Sequence, residues 1–297
     1  MELELNDLDE LLVSAKSGNR RSLSRLISRI ESGEKFESPS SKSWTLGITG
    51  PPGAGKSTLI GQIARSWINN GEKVAVLAFD PSSPISGGSF LADRIRMEES
   101  GLRENLFVRS LSSGNIPGAI GPNVENMCIA LTECGWSRII IETVGSGQSE
   151  FRVVAFVDRI LLVDGPDRGD LIQAEKAGVM ELADVIAVNK SDLPGAEEAA
   201  KNIRFSLGLV SGDNRNVHLV SAKSGSGIDL LMKDIDSCKS DMPRQKLRMR
   251  ERLISEWDSL LLGHPELESV LEKLCDSSLT ITEAIDAMRN TLQREVE

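Results

Sequence analysis

Gly50-Pro-Pro-Gly-Ala-Gly-Lys-Ser57 follows directly on the apolar run Trp44-Thr-Leu-Gly-Ile-Thr49, and Thr58 to Trp67 after it reads as the start of a helix. Gly-x4-Gly-Lys-Ser between a strand and a helix is a phosphate cradle. Glycines let successive backbone N–H groups turn inward around an anion, and the positive end of the helix adds to the attraction. Gly50, Gly53, Ala54, Gly55 and Thr58 supply the loop and helix start, Lys56 reaches the β- and γ-phosphates, and the Ser57 hydroxyl is the expected Mg²⁺ ligand.

Outward from this loop, short apolar strands alternate with helical segments between Ser43 and Cys238. Strands are expected at Trp44–Thr49, Val74–Phe79, Leu106–Arg109, Arg138–Ile141, Arg159–Val163, Val185–Val188 and Val217–Val220. Continuous apolar runs of this kind are strands buried on both faces, so the fold class is α/β, three layers with a mostly parallel sheet. Residues 1–42 form an N-terminal helical extension and linker, with two short helices over 6–32, and 43–240 the nucleotide domain. From 241 to 297 the pattern is helical without a further strand, and Leu253, Ile254, Trp257, Leu260 and Leu261 share a spacing that fits an arm for dimerisation or partner contact.

Three further strings sit at strand ends. Asn189-Lys-Ser-Asp192 follows Val185–Val188. A carboxylate at Asp192 accepts from guanine N1–H and the N2 amino group together, a donor pair adenine lacks; Asn189 would meet the base from its other edge and the Lys190 stem would lie over the ring. Ser221-Ala222-Lys223 follows Val217–Val220, where a backbone N–H reaches the guanine carbonyl. Glu142-Thr-Val-Gly145 follows Arg138–Ile141, with the acid holding the Mg²⁺ shell and the Gly145 N–H sensing the γ-phosphate. Glu stands where most GTPases carry Asp. Between these lies Asp80-Pro-Ser-Ser-Pro to Asp93, a loop with a carboxylate at each end, read as a switch ordered by the γ-phosphate and its ion.

Bulk properties narrow the partners. With 34 basic and 44 acidic residues among 297 the net charge is −10, which argues against nucleic acid or an anionic membrane as the main partner. Cys128, Cys134, Cys238 and Cys275 are scattered and read as buried reduced thiols. No apolar run approaches the roughly 18 residues of a membrane span, and no basic-then-apolar leader is visible, so the expectation is a soluble, cytoplasmic protein.

Gly50–Thr58, Val74 to Ser83, Gly87-Gly-Ser89, Asp93 to Met97, Glu142 to Glu150 and Leu182 to Asp192 together resemble the methylmalonyl-CoA-mutase-associated GTPases. These are P-loop NTPases of the signal-recognition class, some of which carry arginine/ornithine transport kinase names. The resemblance spans residues 18 to about 240. It implies GTP and GDP as ligands with Mg²⁺, and Lys56, Glu142 and Gln148 as the catalytic set. It also implies Ser57, Asp80, Asp93 and Glu142 about the metal, and Asp170, Gln173 and Lys176 in a third switch that relays nucleotide state. It further implies a homodimer that gates loading or protection of adenosylcobalamin on an acyl-CoA mutase, methylmalonyl-CoA mutase first. The loops 109–118 and 164–169 depart from the family pattern. Two other functions fit the nucleotide motifs: metal insertion of the nickel type and a small-molecule kinase. Only His218 and His264 are present and no Cys/His cluster is visible, which counts against a metal cargo site.

Overall fold

The computed structural model describes residues 7–34, 36, 43–80, 104–112, 120–143, 156–166, 176–209, 213, 215–239 and 241–294. Among these residues seven strands form one parallel sheet: β1 (Thr45–Thr49), β2 (Val74–Asp80), β3 (Leu106–Ser112), β4 (Arg138–Thr143), β5 (Arg159–Asp164), β6 (Val185–Val188) and β7 (Val217–Leu219). Their spatial order is β3-β2-β4-β1-β5-β6-β7. All seven expected strands are present, most of them longer at the C-terminal end, where Asp80, Thr143 and Asp164 are still in register. The strand that feeds the phosphate loop is central, flanked by β4 (Gly47 beside Ile141) and β5 (Gly47 beside Ile160). In an open parallel sheet the crevice at the carboxyl ends beside such a strand is where ligands bind.

Alternate residues of each strand face opposite layers, the period of two that a pleated strand imposes. Leu46, Ile48, Val76, Ile140, Leu161 and Val163 pack with α3 (Lys56–Asn69) and, further along the chain, the helix Ile228–Ser237. Ala75, Leu77, Ile139, Ile141, Ile160 and Leu162 pack on the other side with α1 (Asp7–Lys16), α2 (Arg20–Glu31) and α4 (Ile120–Glu133). That side is completed by α5 (Lys176–Leu182) and α6 (Ala196–Gly208). We number Ile228–Ser237 as α7. The N-terminal pair therefore shares the main core: Leu23, Leu26, Ile27 and Ile30 are all buried within it. Asn19 starts α2 by accepting from the Arg21 and Ser22 N–H groups, and Arg109 of β3 donates to Ser28 Oγ at 2.8 Å.

The C-terminal helices are α8 (Met242–Leu262), α9 (Leu267–Cys275) and α10 (Ile281–Arg294). Their apolar spacing does not all turn inward: Leu253, Trp257, Leu260 and Leu261 are exposed. The opposite face of α8 docks through arginines. Arg248, 4% exposed, donates to the Asp158 and Leu182 carbonyls at 2.9 Å each and pairs with the buried Asp184 carboxylate. Arg252 pairs with Glu125 of α4 and lies over the Phe156 ring. α9 and α10 close on a small cluster of their own around Val270, Ala284 and Met288. Cys128 is buried and its thiol pushed well up, and burial pushes Cys134 and Cys238 up to about 11. The expectation of buried thiols holds in full for Cys128: Cys134 and Cys238 are partly buried, and Cys275 closes α9 at the surface. Among the described residues no helix is long and apolar enough to cross a membrane.

Candidate functional site

The phosphate loop is built around two glycines at which any Cβ would be both strained and crowded. Gly50 leaves β1 with φ of 142°, and a Cβ there would lie 1.9 Å from the Val163 carbonyl oxygen. Gly55, at φ 85°, caps α3 and would drive a Cβ to 2.5 Å from Asn189 Nδ2. The loop is thus pressed on one side against β5 and on the other against the residue that follows β6. Lys56, 6% exposed, folds its ammonium over the loop and donates to the Gly50 and Pro51 carbonyls at 2.7 and 3.1 Å. These two bonds hold the ammonium against the loop's own carbonyls.

On the β4 side, Ser57 Oγ donates to Glu142 Oε1 at 2.9 Å, and Glu142 is 5% exposed. The longer acid at this position thus reaches the serine directly. Asp80 ends β2 one residue past the Phe79–Thr143 register pair, on the same edge of the sheet as Glu142. Thr58 lies on the exposed side of the first turn of α3.

On the β6 side the two strings at Asn189 and Ser221 are joined to the same loop through the Asn189 amide. The Asn189 amide, 2% exposed, donates to the Ala54 carbonyl at 2.9 Å and the Gly55 carbonyl at 3.3 Å, and its Oδ1 accepts from the Ala222 N–H at 3.0 Å. Both ends of that amide are engaged by backbone, so the residue is a strut between two loops. Lys190 adopts φ 60°, in the left-handed region, and the N–H of the next residue, Ser191, donates to the Val220 carbonyl at 2.9 Å. Asp192 is there met by the Ser221 hydroxyl, which donates to its Oδ1 at 2.6 Å and holds its carboxyl below the usual range. Lys223 is exposed nearby and its charge pulls in the same direction.

Between these sides is a cavity of about 170 Å³ lined by Pro51, Pro52, Gly53, Ala54, Asp164, Gly165 and Lys190. Sequence reasoning missed two residues here. Asp164 is 2% exposed at the end of β5, and its Oδ1 accepts from the Gly165 N–H at 2.9 Å. Gln62 of α3 donates to the Ala222 carbonyl at 2.9 Å. Asp164 carries a weak signal, a carboxylate closing an apolar strand; a lone glutamine within a helix carries none. Gly145, Gln148, Asp93, Asp170 and Gln173 lie outside the described residues, as do 113–118 and 167–169 of the two departing loops. Lys176 opens α5.

A phosphate loop at the end of the central strand of a parallel sheet, tied through Asn189 to Ala222 and flanked by the Ser221–Asp192 pair, is the arrangement of a P-loop GTPase. The chain belongs to the family described as methylmalonyl Co-A mutase-associated GTPase MeaB, whose model matches residues 14–269. It is a GTPase and binds GTP. A GTPase-named relative from Pyrococcus abyssi is 31% identical over 98% of this chain and 93% of its own length. The methylmalonic aciduria type A homolog, mitochondrial, of Mus musculus is 40% identical over 62% of this chain and 46% of its own. Among solved structures, that of an LAO/AO transport system kinase superposes with a TM-score of 0.63 at 23% identity, covering 98% of this chain and 100% of the other, a likeness of fold.

Proposed function

We propose that the protein is a GTP-driven switch that gates the loading or protection of adenosylcobalamin on an acyl-CoA mutase, with methylmalonyl-CoA mutase the first client to test. The observation that carries this reading is the match of the mutase-associated family along residues 14–269, which takes in both the nucleotide site and α8 beyond it. The name of the mouse relative points the same way.

Within the site, the loop amides of Gly53, Gly55 and Lys56 would hold the phosphates, with the anchored Lys56 ammonium compensating charge at the β–γ bridge. Ser57 and Glu142 fit a Mg²⁺ ion: a hydroxyl and a carboxylate within hydrogen-bonding distance are hard oxygen donors of the kind it prefers, with waters and phosphate oxygens completing the shell. Bound there, the ion would neutralise charge developing on the phosphoryl oxygens. Asp80 and Asp93 are the further candidates for its shell, and Gln148 for orienting the attacking water. Asp192 would select guanine, with Lys190 along the ring. Asp170, Gln173 and Lys176 would relay nucleotide state.

Such an arrangement positions and neutralises but leaves water orientation to the switches, so intrinsic hydrolysis should be slow and the client should accelerate it. Turnover of tens per second by the isolated protein would refute the gating. The exposed apolar residues of α8 fit a homodimer contact in a cytoplasmic protein. Against metal insertion, no group of three or more His, Cys, Asp and Glu side chains suited to a metal occurs among the described residues, and His218 is held by Asp234 at 2.7 Å.

The test is a pull-down of the host's acyl-CoA mutases with the protein loaded with GDP or a non-hydrolysable GTP analogue. A complex whose yield depends on the nucleotide is expected; no complex in either state would overturn the mutase reading. Incubation with labelled GTP and candidate amino acids addresses the kinase reading, phosphate on an acceptor being the contrary result.

A further inference from the structure

The strut at Asn189 is one link of a closed circuit. Gln62 Nε2 donates to the Ala222 carbonyl at 2.9 Å, the Ala222 N–H donates to Asn189 Oδ1 at 3.0 Å, and Asn189 Nδ2 donates to the Ala54 carbonyl at 2.9 Å. Ala54 runs through Gly55 into α3, the helix that carries Gln62. Six residues separate Lys56 from Gln62, about 9 Å along a helix, so the circuit spans the crevice from the phosphate side to the base side. One residue, Ala222, is therefore gripped at its N–H by the strut and at its carbonyl by the phosphate helix.

The rest of that loop is bound to itself. The Ser221 N–H donates to the Ser226 carbonyl at 2.9 Å and the Gly225 N–H to the Ser221 carbonyl at 2.8 Å. A Cβ on Gly227 would lie 2.3 Å from the Leu219 carbonyl. The loop thus moves as a unit, and Gln62 ties that unit to α3. A side-chain amide is suited to this: a carboxylate of the same shape would set oxygen against oxygen, and a thioether would offer no donor.

We propose that Gln62 is a positioning residue for base recognition. By fixing the Ala222–Lys223 backbone relative to α3, it sets the distance between the N–H that meets the guanine carbonyl and the loop that holds the phosphates. This rests on the guanine reading of the site and deepens it. Asp192 reads the N1–H and N2 edge; Gln62 governs how well the loop reads the 6-oxo group.

The experiment measures dissociation constants of GDP, IDP, 6-thio-GDP and ADP for the wild type, Gln62→Met and Gln62→Glu, with thermal unfolding of each. IDP lacks the N2 amino group, and 6-thio-GDP replaces the carbonyl oxygen with a weaker acceptor. The wild type should prefer GDP over all three. Gln62→Met should weaken GDP about 5-fold, and Gln62→Glu further. In both variants the GDP to 6-thio-GDP ratio should shrink toward one while the GDP to IDP ratio holds. A uniform loss against every nucleotide would mean that Gln62 only supports the fold, and unchanged ratios and affinities would equally overturn the proposal. A wild type that does not distinguish GDP from ADP would instead overturn the guanine reading beneath it. Should one variant fail to fold, the other carries the same test.

Discussion

Removing the Asn189 side chain tests whether the two halves of the site are built as one. Asn189→Ala deletes three hydrogen bonds, to the Ala54 and Gly55 carbonyls and from the Ala222 N–H, in a place where the residue is 2% exposed. Each bond contributes on the order of 1 kcal/mol net, and buried partners left unmatched add to it, so the GDP-bound protein should lose about 3 kcal/mol. That is roughly a 150-fold change in an equilibrium constant. The loss divides between folding and binding. If the loops stay together without ligand, unfolding of the apo protein carries it; if they part, the cost of bringing them together falls on GDP. Urea unfolding with and without saturating GDP, combined with GDP titration calorimetry, measures the sum. Asn189→Asp sharpens the test, because it preserves shape and the acceptor for Ala222 but turns an oxygen toward the Ala54 and Gly55 carbonyls. It should be at least as damaging as alanine, whereas a pure packing role would make it milder. A summed loss below about 1 kcal/mol for Asn189→Ala would refute the strut.

Asp192→Asn removes a charged acceptor for two base donors and should cut the preference for GDP over ADP by about 100-fold, read by competition titration; an unchanged preference would remove Asp192 from the base site. The Ser221 hydroxyl holds the Asp192 carboxyl below its usual range. A depressed value makes the ionised form's contribution fully present above about pH 4 and lost as the pH falls through the folded value. Guanine preference should therefore persist across mildly acidic pH, and loss of it near pH 6 would contradict that assignment. Gly50→Ala, whose Cβ would sit 1.9 Å from the Val163 oxygen at φ 142°, should destabilise the loop by at least about 2 kcal/mol and abolish tight GDP binding, and near-normal affinity would show that the loop can relax. Arg248→Ala leaves the Asp184 carboxylate buried without its partner and should cost about 3–5 kcal/mol in urea unfolding; a loss under 1 kcal/mol would mean that α8 docks by other contacts.

The sheet was legible because strands buried on both faces are continuous apolar runs, and Ile139, Ile140 and Ile141 need no tertiary information to be recognised as one. The phosphate loop and the strings at Asn189 and Ser221 could be placed because each stands at a strand end, where a parallel sheet gathers its loops. Three things were not legible. Gln62 looks like any polar helix residue, and its role exists only through a carbonyl 160 residues away. The spacing of Leu253, Trp257 and Leu260 reports a helix but not the direction it faces; α8 docks by Arg248 and Arg252, which a reading of apolar faces assigns to solvent. Leu23 to Ile30 announced an apolar face without saying that it completes the main core, since a helix period is blind to what lies opposite.

The docking of α8 has a mechanical corollary. Arg252 lies over Phe156 and Arg248 grips the Asp158 carbonyl, at the downstream end of the stretch that leaves β4 after Thr143. The helix is clamped near its middle and runs 21 residues, on the order of 30 Å, with the outward tryptophan, Trp257, beyond the clamp. A tilt of about 5° at those arginines would sweep its ends by roughly 1 to 2 Å, so a small rotation at the clamp becomes a displacement of the helix's outward apolar residues.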